Sequence, residues 1–270
     1  MFPRLVQFGM LTIPTQGAFI ALGLMLALLL AVRTSRLLAL NADAVWNFSF
    51  LAIFSFIVGG RVVLFATHWR EYASYPYLML AISTHSPAVM AGGFCIAFAA
   101  CAVSLWLRPL PVRRVLDALA PPLTLGYGLA CVGAFASGAD YGSVTTVPWA
   151  VRFHSRYALM WNGTPQDVPL HPVQLYQAVF ELLLCAFLLW LLTKKHRDGE
   201  ICGAWLFLGG ISHFVFEFWR GERGMELFGG LLDLTQALAL LMIVIGAILW
   251  TDRNADPKRV AAGNEEKNAV

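Results

Sequence analysis

Charge is what this chain has least of. Only 13% of its 270 residues are Asp, Glu, Lys or Arg, against roughly a quarter in a soluble domain. Apolar residues make up 59%. Together these values exclude an ordinary water-soluble domain and indicate a polytopic membrane protein. Cysteine is sparse too: Cys95, Cys101, Cys131, Cys185 and Cys202 all fall in apolar runs without metal-ligand spacing. That pattern argues against a disulfide framework and a zinc site, and reads the five as small hydrophobes. Triad signatures and P-loops are absent, and neither a metal nor a cofactor is expected. The cations stand at the ends of apolar runs, not on one basic face, so nucleic acid is not an expected partner. No short apolar stretch with a small-residue cleavage site precedes the body of the chain, so the first run reads as a retained span.

What is present is length of apolar run. A span needs about 20 apolar residues. Seven candidates meet this, at about 11–32, 46–67, 87–107, 119–138, 171–193, 201–219 and 230–251. Lys and Arg orient them. Arg33, Arg36, Arg108, Arg113, Arg114, Lys194, Lys195, Arg197, Arg253, Lys258, Arg259 and Lys267 follow alternate spans. They outnumber Arg4, Arg70, Arg152, Arg156, Arg220 and Arg223 on the opposite side. The N-terminus is therefore expected outside and the C-terminus in the cytoplasm. The spans form one domain, 1–251, followed by a polar, alanine-rich tail, 252–270, expected to be disordered. Loop 139–170, with Tyr141, Trp149, Tyr157 and Trp161 as interfacial anchors, is expected to form a small cap. Segment 68–86 reads as a second cap, in the form of an interfacial helix.

The densest cluster of polar chemistry is His171-Pro172-Val173-Gln174-Leu175-Tyr176-Gln177, at the mouth of an apolar run that also carries Glu181. Pro172 suits the first position of a helix, where an N–H is not needed. His171, Gln174, Ala178 and Glu181 then share one face. A polar stripe on a membrane helix turns inward, either to a functional cavity or to a hydrogen-bonded seam with another helix. Arg61, after Gly59-Gly60 inside the second span, either meets an anion or partner or snorkels to the outer interface. His213, Glu217 and Arg220 are spaced i, i+4, i+7, so one face offers a base, a carboxylate and a guanidinium. Arg220 could grip a phosphate with two donors, or simply pair with Glu217 one turn back. Asp233 near a helix start reads as a cap. Gly133 and Gly138 are either packing contacts or a backbone cradle for phosphate. All these groups lie toward the outer ends of their spans, which suggests one pocket for an anionic lipid headgroup.

These residues resemble the prolipoprotein diacylglyceryl transferases, the Lgt family of bacterial inner membranes. The likeness covers about residues 1–250. It includes Met1-Phe2-Pro3, Ile13-Pro14-Thr15-Gln16-Gly17, Gly60-Arg61 and Ala91-Gly92-Gly93. It continues through Gly133-x-Phe135-x-x-Gly138-x-x-Tyr141-Gly142 and Pro148-Trp149-Ala150. It ends with His171-Pro172-x-Gln174-Leu175-Tyr176, Glu181, Glu217-Phe218-Trp219-Arg220 and Gln236. The resemblance implies an all-α integral membrane fold, a seven-transmembrane-helix Lgt-like bundle with a small periplasmic head. It implies transfer of a diacylglyceryl group from phosphatidylglycerol to the lipobox cysteine of a preprolipoprotein signal peptide, without a cofactor. On that reading His171 or His213 deprotonates the thiol, and Glu217 belongs to the catalytic group. Arg61 and Arg220 hold the phosphate, with Gln174, Tyr176, Gln236, Gly133 and Gly138 as further substrate-binding positions.

The chain also departs from the family pattern. Gln16 replaces a Tyr, Ala91 a His, Cys131 an Arg, Ala134 an Asn, Ala139 an acidic residue, Gln177 a Glu and His213 a buried Arg. Three expectations follow: the same transfer with rearranged residues, phospholipid binding without chemistry, or action on another lipid or acceptor.

Overall fold

The chain begins as a hairpin. Strand β1 (Arg4–Phe8) pairs antiparallel with β2 (Leu11–Pro14), and the Thr15 N–H closes back onto the Pro3 carbonyl at 3.0 Å. The computed structural model describes residues 3–8, 11–70, 87–108, 110–222, 225–227 and 230–252. Most of the second cap predicted over 68–86 lies outside these residues, as does the tail beyond residue 252.

The rest is helical: α1 (Thr15–Leu37), α2 (Ala42–Thr67), α3 (Pro87–Leu107) and α4 (Val112–Ser137) come first. They are followed by α5 (Arg156–Asn162), α6 (Val173–Leu192), α7 (Glu200–Glu217) and α8 (Leu234–Thr251). A two-residue ladder, β3 (Glu226–Leu227) against β4 (Leu232–Asp233), precedes α8. Six of the described helices, α1 to α4, α6 and α8, are long and apolar enough to cross a bilayer. The chain is thus a helical, multi-pass integral membrane protein. Helix α7 falls outside that set; Glu200, His213 and Glu217 interrupt its apolar run. The first span was expected over 11–32; the hairpin takes residues 11–14, and the helix runs on to Leu37.

The described chain divides into two compact units, 1–38 with 113–270, and 39–112. In the smaller unit α2 packs on α3 through paired glycines. A methyl group added at Gly59 would lie 2.7 Å from Ile96 Cβ and 3.0 Å from the Gly92 carbonyl oxygen. Small residues are what permit such close helix approach in lipid.

In the larger unit the helices run alternately up and down, because each end has its own ties. At one end the Thr34 hydroxyl of α1 reaches the Ala118 carbonyl of α4 at 2.6 Å. Pro122 follows Ala118 by four residues and has no N–H to give that carbonyl; Thr34 supplies the missing donor. The buried Asp117 carboxylate accepts the Gly199 and Cys202 N–H groups at 2.6 and 2.8 Å, capping α7. The sequence reading had not identified this cap. Arg113 pairs with Asp252, Arg114 with Asp198, and Arg197 bonds the Trp250 and Asp252 carbonyls. Between the ends, Ala120, Leu184, Leu188, Leu192, Ile201 and Ala204 form a buried apolar cluster from α4, α6 and α7. Helices α7 and α8 meet backbone to backbone: a methyl at Gly246 would sit 2.4 Å from Phe207 N. The outward side chains Leu29, Leu183 and Ile248 remain exposed, as lipid-facing positions are.

At the opposite end, residues 139–170 form a loop tied by isolated bridges, termed the cap below. Val144 and Val151 bridge to Leu170, Phe153 bridges to Gln166, and α5 packs below them. Arg4 of the hairpin stacks 3.7 Å above the Tyr157 ring, joining hairpin and cap.

Candidate active site

Helix α6 begins at Val173. Pro172 is the residue before it, with φ −79° and ψ 61°, one place earlier than expected. His171 therefore stands outside the helix, half-buried, while Gln174, Gln177, Ala178 and Glu181 are buried on its inner face. The stripe is a seam in part: Gln177 donates to Glu181 Oε1 at 2.9 Å and to Ser212 Oγ of α7 at 3.1 Å. Sequence reading had placed His171 on this face and had not included Gln177, which completes the stripe four residues before Glu181. Gln174 lies nearer the cap and donates to the Ala139 carbonyl at 2.7 Å.

The cap fixes Arg220 in place. Ser143 N–H bonds the Trp219 carbonyl at 2.7 Å, Gly221 N–H bonds Tyr141 O at 2.9 Å, and Gly142 bridges Arg220. His171 N–H bonds Ser143 O at 3.0 Å, so three segments share one short ladder. Gly142 permits the crossing: a Cβ there would fall 2.2 Å from His171 O. Arg220 Nε lies 3.3 Å from the Glu217 carboxylate, and Nη1 lies 3.8 Å from that of Asp140. Asp140 holds the left-handed conformation, φ 51°. Burial works against the Arg220 charge, but Asp140 and Glu217 more than compensate and hold the guanidinium above its ordinary pKa. Tyr141, hydrogen-bonded to Glu222 at 3.2 Å, is raised by burial and by that carboxylate.

An aromatic cluster lines the same end. Tyr176 Oη accepts the Trp149 indole N–H at 2.6 Å and is 3.4 Å from His171 Nδ1. The rings of His171, Tyr176, Phe216 and Trp219 lie within 6.4 Å of one another pairwise where they meet. Deeper in, the His213 ring tilts onto Tyr127 of α4 with centroids 5.3 Å apart. Cys131 follows Tyr127 by four residues on the same helix and shares its face. Two positions that depart from the family pattern, Cys131 and His213, thus flank one tyrosine. An aromatic in an apolar run gave no sign of this in the sequence.

Other predicted positions have structural tasks. Gln236 completes a capping box with Asp233: Gln236 N–H bonds Asp233 Oδ1 at 2.7 Å, and Gln236 Oε1 accepts Asp233 N–H at 3.3 Å. That bears out the capping role read for Asp233 and occupies one face of the Gln236 amide. At Gly133, α4 touches α1, where an added Cβ would meet Phe19 Cβ at 2.4 Å. Gly138, at φ 84°, turns the chain out of α4 against Phe153 and Ala158. Arg61 belongs to the other unit, on α2, next to the glycines that contact α3. Among the described residues no group of three or more His, Cys, Asp or Glu side chains could hold a metal ion.

The larger unit therefore brings His171, Gln174, Tyr176, Glu217 and Arg220 to one end. It offers a held cation, an imidazole beside a phenol, and a buried amide.

The family model for prolipoprotein diacylglyceryl transferase matches residues 3–251. A phosphatidylglycerol–prolipoprotein diacylglyceryl transferase of Clostridium tetani is 28% identical over 254 residues, 93% of this chain and 97% of that protein. The Brucella anthropi protein of the same name is 32% identical over 270 residues, 92% and 89% of the two chains. That of Pseudoalteromonas translucida is 28% identical, covering 97% of each. With the match extending over nearly its whole length, this chain belongs to the prolipoprotein diacylglyceryl transferase family.

Proposed function

We propose that this protein transfers a diacylglyceryl group from phosphatidylglycerol to the lipobox cysteine of a preprolipoprotein in the bacterial inner membrane. In this reading α7 also crosses the bilayer, as the sixth of seven spans, and the cap is periplasmic. The N-terminus is periplasmic and the C-terminus cytoplasmic. Arg113, Arg114, Lys194, Lys195 and Arg197 then gather on the cytoplasmic side, in keeping with the charge rule.

The acceptor sulfur attacks the glycerol carbon of the diacylglyceryl group. A C–S bond forms, the C–O bond to phosphate breaks, and glycerol phosphate leaves. The thiolate is the competent nucleophile, so a base must take the thiol proton. If His171 Nδ1–H points to Tyr176 Oη, Nε2 keeps the lone pair for that task. Arg220 carries the charge that gathers on the departing phosphate. His213 is the alternative base and Glu217 orients Arg220. Tyr176 and Gln174 line the same end. Gly133, Gly138 and Gln236 shape it through packing and capping.

The observation that supports this most is the setting of Arg220: a half-buried guanidinium paired at Nε with Glu217 and held at its backbone by the cap. The test is whether the full-length protein modifies a lipobox peptide in phosphatidylglycerol nanodiscs, and whether the gene rescues a transferase-depleted strain. His171→Ala is expected to abolish both. A well-expressed wild-type protein that does neither removes the proposal.

A second reading is favoured by the Cys131–Tyr127–His213 grouping, where two departures from the family pattern flank one tyrosine. There the protein binds the phospholipid without this transfer, or serves another lipid or acceptor. It predicts co-purifying phosphatidylglycerol that is lost in Arg220→Ala, with no modified lipobox peptide.

A further inference from the structure

Gln174 is nearly inaccessible, 3% exposed, yet only half of its carboxamide is used. The orientation of that amide follows from its partner. The Ala139 carbonyl can only accept, so the group 2.7 Å away must be the NH2 end. The other end is then an oxygen, and it is buried without a hydrogen-bond partner among the described residues. Buried acceptors without donors are rare and destabilising. Its neighbours in the seam, Gln177, Glu181 and Ser212, are all paired.

What lies beside this oxygen indicates what would complete it. Ala139 leads directly into Asp140, whose carboxylate faces Arg220 Nη1. Arg220 itself stands with Nε 3.3 Å from the Glu217 carboxylate and Nη1 3.8 Å from that of Asp140. One short stretch of chain thus joins a buried acceptor lacking a donor to a guanidinium that is still 30% exposed. A phosphate diester esterified to a polyol supplies both counterparts, the anion for Arg220 and the hydroxyl for Gln174.

We propose that Gln174 is the headgroup-selecting residue of this protein, its carboxamide oxygen accepting a hydrogen bond from a glycerol hydroxyl of the phospholipid whose phosphate docks on Arg220. This rests on the lipid-donor reading above and specifies how that donor is told from other phospholipids. A site built to bond a hydroxyl discriminates strongly against the analogue that lacks it, because its own polar group is then left unpaired.

The test compares phosphatidylglycerol with phosphatidylpropanol, which carries the same charge and no headgroup hydroxyl. The full-length protein is placed in phosphatidylcholine nanodiscs doped with both lipids. Retained lipid is read by mass spectrometry, and transfer to a lipobox peptide is measured separately. Wild type is expected to prefer phosphatidylglycerol by about tenfold or more. Gln174→Met should bring the ratio close to one. Gln174→Glu, whose neutral acid both donates and accepts, should restore it. Equal retention of the two lipids by wild type overturns the proposal, as does an unchanged ratio in Gln174→Met. Gln174-dependent selection without transfer would remove the transferase reading and leave this one standing. Transfer with no Gln174-dependent selection would do the reverse.

Discussion

Replacing Thr34 by valine takes one hydroxyl out of the crossing of α1 and α4. Thr34 is fully buried, and its oxygen lies 2.6 Å from Ala118 O and 3.1 Å from both Leu30 O and Ala31 O. One hydroxyl has one proton, and the shortest distance identifies its recipient. Leu30 and Ala31 sit in an uninterrupted helix, whereas the Ala118 carbonyl has lost its own helical donor to Pro122. The valine variant leaves that carbonyl unpaired. The general cost is about 1–3 kcal/mol; membrane measurements, averaging about 0.6 with a maximum near 1.7, place it close to 1 kcal/mol. The decisive assay is a double-mutant cycle with Pro122→Ala, followed by reversible unfolding in mixed micelles. Pro122→Ala returns an N–H to Ala118 O, so Thr34→Val should then cost almost nothing. The expected coupling is about 1 kcal/mol. Additivity within about 0.3 kcal/mol would refute the reasoning, since independent sites add that closely.

The other predictions concern single sites. Gly142→Ala should loosen the cap by at least ~1–3 kcal/mol through overpacking, because its methyl would lie 2.2 Å from His171 O; limited proteolysis within 139–170 would show it. Asp117→Asn replaces a carboxylate that serves two N–H groups with an amide that offers one oxygen. A loss of about 1.5–3 kcal/mol is expected in the same unfolding assay. Arg114→Ala should change stability by less than about 1 kcal/mol, since its pair with Asp198 is 44% and 36% exposed. Arg220→Lys keeps the charge but cannot reproduce the fork. It should lower kcat/KM for peptide lipidation at least about tenfold, with near-wild-type activity counting against the phosphate role.

The sequence by itself determined the class of molecule. Runs such as 173–192 and 234–251 cannot remain in water, so membrane insertion follows from composition and length alone. It also determined local chemistry that needs only neighbours along the chain. The Asp233 cap was readable because its partner, Gln236, is three residues away, and the inward turn of Gln174 and Glu181 followed from helical spacing. The tertiary structure decided everything that depends on which helices meet. Spans that are apolar on all sides give no hint of the face each will bury, so the links from Thr34 to Ala118, Gln177 to Ser212 and Tyr127 to His213 could not be read in advance. Asp117 caps a helix only through the arrival of Gly199 and Cys202, 82 and 85 residues further on. Arg220 was visible as a cation, but its fixed pose comes from a backbone ladder with residues some eighty positions earlier. Lipid supplies no hydrophobic force to sort helices against one another. Partner choice therefore falls to small residues and scattered hydrogen bonds, whose complements lie far away in the chain.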